Sequence, residues 1–163
     1  MKIRQATAAD TPAICDYWNP LIRDTIVTFS SEERTPEGLA ATIDERAAKG
    51  WPFLLGVDAG GTILGHVTYA QFRAGNGYVH TMEHTVILSP AAQGRGIGRA
   101  LMAALEAHGR AAGVHLMVGG VSAGNAAGLG FHRALGYVEA GRVAQAGRKF
   151  DAWHDLVLMQ KIL

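Results

Sequence analysis

Between the apolar run Thr85-Val86-Ile87-Leu88 and a helical repeat of Ile97, Leu101, Leu105 and His108 lies Gln93-Gly94-Arg95-Gly96-Ile97-Gly98. The first run reads as a buried strand and the second as a helix opening at Ile97 or Gly98. Three positions without a Cβ let the backbone turn sharply between them. Such a turn aims several free N–H groups, and the positive end of the helix dipole, at one place. That is an anion site, and it reads as a pyrophosphate site. Spacing removes two familiar loops. No Lys-Ser or Lys-Thr pair follows the glycines, as a nucleoside-triphosphate loop requires. Gly-x-Gly-x-x-Gly fails in both frames, because the third position is Arg99 counted from Gly94 and Leu101 counted from Gly96.

Other residues carry chemistry more weakly. Glu83 interrupts an otherwise apolar strand a few residues before the glycines; it reads either as a general base or as a carboxylate exposed or paired with an arginine. Arg73 follows Phe72 and offers a guanidinium fork of the kind that grips a carboxylate. Of the seven histidines, His80 and His84 are separated by roughly 13 Å if both lie on one strand. Two such residues cannot share one ion, and no cluster of cysteines or carboxylates replaces them, so no metal is expected. Cys15 lies at the edge of an apolar stripe with no base beside it, and reads as a small buried hydrophobe.

The elements that must position these residues follow in order. Lys2 to Ala6 predicts a strand. Asp10-Thr11-Pro12 opens a helix with Ile14, Tyr17, Trp18, Leu21 and Ile22 as its apolar stripe, which Pro20 is expected to kink or split. Thr25 to Ser31 reads as a loop or edge segment. Thr35-Pro36-Glu37 opens a second helix that Gly50 ends. Phe53 to Asp58 and Thr62 to Phe72 predict a hairpin across Ala59-Gly60-Gly61, and Gly75-Asn76-Gly77 turns the chain into a strand from Tyr78 to Leu88. After the glycine-rich helix come a strand from His115 to Val121, a short helix from Asn125 to Leu135, and strands Tyr137 to Val143 and Trp153 to Ile162. The expected fold is a mixed α/β sheet with helices on both faces, in one domain spanning residues 1–163.

Bulk properties agree. Hydrophobic residues make up 48% and charged residues 18% of the 163-residue chain, which describes a compact core and not a disordered segment. A net charge of +1 supplies no broad field for nucleic acid or an anionic membrane, so anion binding must be local. One cysteine, no signal-peptide core and no span-length apolar run lead to the expectation of a cytoplasmic protein.

Gln-x-x-Gly-x-Gly fits at Gln93, Gly96 and Gly98, and here the chain resembles the GCN5-related N-acetyltransferase (GNAT) superfamily. The likeness includes Ile3-Arg4-x-Ala6-Thr7-x-x-Asp10, Asn125 at the head of the late helix, and Leu135-Gly136-Tyr137 at its exit. Thr28-Phe29, Phe72-Arg73, His80-Thr81-Met82-Glu83-His84 and Gly147-Arg148-Lys149-Phe150 with Trp153 and Asp155 resemble the phosphinothricin and methionine sulfoximine acetyltransferase branch. Val79 and Gly119-Gly120 depart from that branch, which bears on acceptor selectivity.

The resemblance implies a largely antiparallel sheet splayed at the coenzyme strand, with acetyl-CoA as cosubstrate. Val86, Leu88, Gln93, Gly94, Arg95, Gly96, Gly98, Arg99 and Asn125 would hold the coenzyme, Val86 and Leu88 through their backbone. Glu83 would be the general base. His132, where many relatives carry a tyrosine, would protonate the leaving thiolate or else be a packed helix residue. Phe29, Arg73, Tyr78, Lys149 and Trp153 would line the acceptor pocket. The implied reaction is acetyl transfer to the α-amine of a small amino acid or analogue by direct attack, in a homodimer. Acetylation of a protein N-terminus or polyamine, and a non-catalytic acyl-CoA-binding module, stand as alternatives.

Overall fold

A computed structural model of the chain describes residues 1–163 with the exception of Gln93. Seven strands form one sheet in the order β1-β2-β3-β4-β5-β7-β6. In chain order the elements are β1 (Lys2–Gln5), α1 (Thr11–Asp24), α2 (Pro36–Ala48), β2 (Phe53–Val57), β3 (Ile63–Gln71), β4 (Thr81–Leu88), α3 (Ile97–Ala111), β5 (Leu116–Ser122), α4 (Ala126–Ala134), β6 (Val138–Lys149) and β7 (Ala152–Ile162). Every neighbouring pair is antiparallel except β4 with β5. A parallel neighbour needs a crossover, and α3 is that crossover.

Helices cover both faces because strand alternation gives each face an apolar row. On one face Phe53, Leu55, Val57 and Ile87 pack with Ile14, Trp18 and Ile22 of α1 and Leu39 and Ile43 of α2. On the other, Leu54, Val67, Tyr69 and Met82 pack with Leu101, Met102 and Leu105 of α3 and Leu129 of α4. Leu55 and Leu101 are fully buried, and burying each contributes about 1.5–3 kcal/mol. Truncating Leu55 to alanine therefore costs about 2–5 kcal/mol.

Three expectations need correction. α1 is not split at Pro20; the proline removes one backbone bond, but the buried stripe on both sides keeps the helix on the sheet. β4 begins at Thr81, since Gly75 at φ 108 leads into a 3-10 turn over Asn76–Tyr78. β6 continues to Lys149 through two register shifts, and its turn to β7 uses positive φ at Phe150 and Asp151 in place of glycine.

Thr35 caps α2 by accepting from the Gly38 N–H at 3.1 Å, and Asn125 caps α4 by accepting from the Gly128 N–H at 2.9 Å. A buried Glu106 on α3 takes Lys161 of β7 at 2.7 Å, and Lys161 also donates to the Leu135 carbonyl at the end of α4. One ammonium thus ties three elements on the α3 side of the sheet.

Candidate active site

The parallel ladder between β4 and β5 is short. It pairs Thr81 with Leu116, Met82 with Met117 and Glu83 with Val118, and then ends while both strands continue. Phe72 donates to Thr81 and Ser89 donates to Leu64, so odd-numbered residues of β4 turn their backbone groups toward β3. The even-numbered Val86 and Leu88 therefore turn theirs into the gap. Ala123 donates to Asp155, so on β5 the odd-numbered residues face β7, and Gly120 and Ser122 face the gap. The expected splay is present, with backbone donors and acceptors on both of its edges.

A cavity of about 760 Å³ follows the gap, within the range of small-molecule sites. Glu83, Val86, Leu88, Asn125, His132 and Phe29, all expected at the site, line it together. Glu83 stands at the vertex of the splay. Its side chain is open to the cavity, but the surrounding walls raise its pKa above the ordinary carboxylate value through burial. Among the described residues its carboxylate has no hydrogen bond or ion pair, so pairing with an arginine does not occur.

The glycine loop abuts this cavity. Gly94 at φ 70 and Gly96 at φ 71 take the left-handed conformation, and Gly96 caps α3. The first-turn N–H groups of α3 then have no intrahelical acceptor. Gly98 serves packing: a Cβ there would come 3.0 Å from Leu88 Cδ1 and 3.0 Å from Phe131 Cε2. Both of those side chains line the cavity. Arg95 is exposed beside the loop and donates to the Ala91 carbonyl at 3.1 Å, and Arg99 donates to Ala134 at 3.3 Å. Free N–H groups, two guanidinium groups and open backbone edges fit a pyrophosphate followed by an amide-bearing arm. Gln93 lies outside the described residues.

His132 is buried on the α4 side. Its ring stacks on His84 with centroids 5.1 Å apart and an interplanar angle of 20°, and Tyr137 meets both rings edge-on. Nδ1 of His132 lies 2.7 Å from the Gly128 carbonyl. A carbonyl only accepts, so Nδ1 carries the proton and Nε2 of the neutral ring holds a lone pair. Burial lowers the His132 pKa and lowers that of His84 to about 3. That Nε2 is buried over Gly119, with no hydrogen-bond partner among the described residues.

Four residues expected at the acceptor pocket lie outside this cavity. Arg73 is exposed, with its guanidinium over the Phe72 ring. Tyr78 is 43% and Trp153 61% exposed. Lys149 is buried instead of lining the pocket; its ammonium donates to the carbonyls of Ile22 and, at 2.8 Å, Thr28. It fastens the β6–β7 turn to the end of α1 and to the segment that carries Phe29. Trp18, Arg34, Arg46, Phe53, Thr68, Thr85 and Ser122 line the cavity without having been singled out in the sequence. Thr85 was within reach, because it shares a strand face with Glu83. Nothing in the sequence distinguishes the others from ordinary packing. Among the described residues no group of three or more His, Cys, Asp and Glu side chains is placed to hold a metal. No described helix is long and apolar enough to cross a membrane.

Comparison with known proteins agrees with this geometry. The acetyltransferase (GNAT) family model matches residues 18–137. An L-methionine sulfoximine/L-methionine sulfone acetyltransferase from Pseudomonas paraeruginosa is 39% identical over 161 residues, covering 97% of this chain and 92% of that protein. A crystal structure of a ribosomal-protein-alanine N-acetyltransferase from Brucella melitensis superposes with a TM-score of 0.95 at 36% identity, covering all of both chains. A phosphinothricin acetyltransferase from Sinorhizobium meliloti, solved in complex with acetyl-CoA, gives a TM-score of 0.93 at 27% identity over 99% of this chain and 88% of that one. With its splayed β4–β5 pair, its glycine loop and a family match over most of its length, the chain belongs to the GNAT family of acetyltransferases.

Proposed function

We propose that this acetyltransferase moves the acetyl group of acetyl-CoA to the α-amine of a small amino acid or amino-acid analogue, of the methionine sulfoximine, methionine sulfone or phosphinothricin kind. The observation that carries the reading is Glu83: a carboxylate without a partner among the described residues, at the vertex of the splay, open to the cavity, with its pKa raised. An alkyl ammonium must lose a proton before it can attack. Glu83 takes that proton, directly or through one water. N–H groups on the open edges of β4 and β5 hold the thioester oxygen as charge builds on it. The glycine loop with Arg95 and Arg99 holds the pyrophosphate, and Asn125 flanks the coenzyme arm. The departing thiolate takes the second proton that the attacking nitrogen must shed; His132 would relay it only if Nε2, buried over Gly119, opened toward the cavity, and its burial favours the packed-helix reading. Direct attack is favoured over an acetyl-enzyme because Cys15, on α1, is buried in the core that α1 and α2 share with the sheet, with its thiol pKa pushed up by burial.

Phe29 is the aromatic wall of the acceptor side; Arg73, Tyr78 and Trp153, which lie outside the cavity, would reach the acceptor only if their segments moved toward it. The exposed Val138, Val143, Phe150 and Trp153 on the edge hairpin support a homodimer, which sedimentation at micromolar concentration tests. A second reading, acetylation of a protein N-terminal alanine, is favoured by the name of the Brucella relative. Competition for acetyl-CoA between free methionine sulfone and an alanine-terminated peptide separates them. Preferential turnover of the free amino-acid analogue is expected, and preference for the peptide overturns the small-acceptor reading.

A further inference from the structure

The glycine pair in β5 faces two ways, and its second member touches the chemistry. A Cβ built on Gly120 would lie 3.2 Å from Glu83 Oε1 and 3.3 Å from Leu156 Cδ1. Both distances are shorter than ordinary van der Waals contact. Gly120 is the second residue past Val118, where the ladder with Glu83 ends, so it lies on the same face of the sheet as Glu83, across the opening gap. Its surface is open to the cavity. Its φ is not positive, so the backbone itself does not require glycine. What the missing side chain provides is room for the carboxylate.

That room matters because, among the described residues, no hydrogen bond or ion pair holds the Glu83 carboxylate, so the space around it decides where it can sit. We propose that Gly120 is a positioning residue: its bare Cα is the floor on which the Glu83 carboxylate sits at the vertex of the splay, within reach of an acceptor amine. This rests on Glu83 being the general base. A methyl group at 120 pushes aside the unanchored carboxylate more readily than backbone, and misplacing a proton acceptor by part of an ångström costs a large factor in rate. The same methyl group crowds the carboxylate and further disfavours its charged form.

The test is a double-mutant cycle in the full chain, with Gly120→Ala and Glu83→Gln measured singly and together against methionine sulfone. Gly120→Ala is expected to lower kcat by about tenfold and to move the acidic limb of the rate profile to higher pH. Acetyl-CoA affinity and Tm should stay close to wild type. In the Glu83→Gln background the same methyl group should change the residual rate less than about twofold. Glu83→Asp, whose shorter side chain withdraws the carboxylate from Gly120, should likewise make Gly120→Ala silent. Equal losses in the wild-type and Glu83→Gln backgrounds, or an unmoved acidic limb, overturn the positioning role. If Glu83→Gln alone retains wild-type turnover, it is the general-base assignment that fails.

Discussion

Replacing Gly98 by alanine separates packing from conformation in the glycine loop. The added Cβ would meet Leu88 Cδ1 at 3.0 Å and Phe131 at 3.0 and 3.1 Å, where ordinary contact needs about 3.5–4.0 Å. Either α3 backs away by about half an ångström or both neighbours move. Overpacking of this kind costs about 1–3 kcal/mol. The gain in helix propensity is at most about 1 kcal/mol and smaller in the first turn, so packing wins. Leu88 belongs to the open edge of β4 and Phe131 adjoins His132, and both line the cavity. The cost should therefore appear in coenzyme binding, as a 5- to 150-fold weaker Kd for acetyl-CoA at about 1.4 kcal/mol per tenfold. Gly96→Ala provides the contrast. Among the described residues nothing lies within 4 Å of its Cβ, but φ is 71, so its cost of about 1–2 kcal/mol is conformational. Calorimetric titration of both variants with acetyl-CoA, alongside thermal unfolding, is the assay. A Gly98→Ala protein that binds acetyl-CoA within twofold of wild type refutes the close-packing role.

Other outcomes follow from buried groups. Burial depresses the pKa values of His66 and His84 to about 3 in the folded state, below the unfolded value near 6.5. Their contribution to stability is complete above that value and is lost as pH falls toward about 3, at about 1.4 kcal/mol per unit for each ring. Against a typical total of about 5–15 kcal/mol, circular dichroism should show cooperative unfolding between about pH 5 and 3; a flat profile to pH 3 contradicts the buried neutral rings. Asp10, held at about 2 by the Arg4 fork, adds acid sensitivity only below its ordinary range near 3.8. Replacing Lys149 by methionine strands the Ile22 and Thr28 carbonyls and should cost about 1–3 kcal/mol. It should also raise KM for the acceptor through the loosened Phe29 segment while sparing KM for acetyl-CoA. Equal changes in both KM values would argue against that localisation.

The sequence made the coenzyme side legible and the acceptor side much less so. Loop glycines are visible because positive φ and close approach demand glycine, and the flanking strand and helix patterns place them. Glu83 stood out as a charge in an apolar strand. The acceptor wall depends on long-range meetings that no local pattern encodes. Lys149 reaches back to the end of α1, and Trp153 faces outward because of which side of β7 it occupies. β6 extends past the Val143 that the pattern marks because its bulges break the alternation and its turn lacks glycine. The orphaned nitrogens of His84 and His132, and the clearance at Gly120, exist only once β4, β5 and α4 come together.

The central claim is that Glu83 deprotonates a small amino-acid amine for attack on acetyl-CoA. Its most direct test is the pH profile of coenzyme-thiol release with methionine sulfone as acceptor, compared between wild type and Glu83→Gln. The expected result is turnover reduced by about 10²- to 10⁴-fold, with the acidic limb assigned to Glu83 removed and acetyl-CoA affinity unchanged. Glu83→Gln turnover within a few-fold of wild type across the pH range would contradict it.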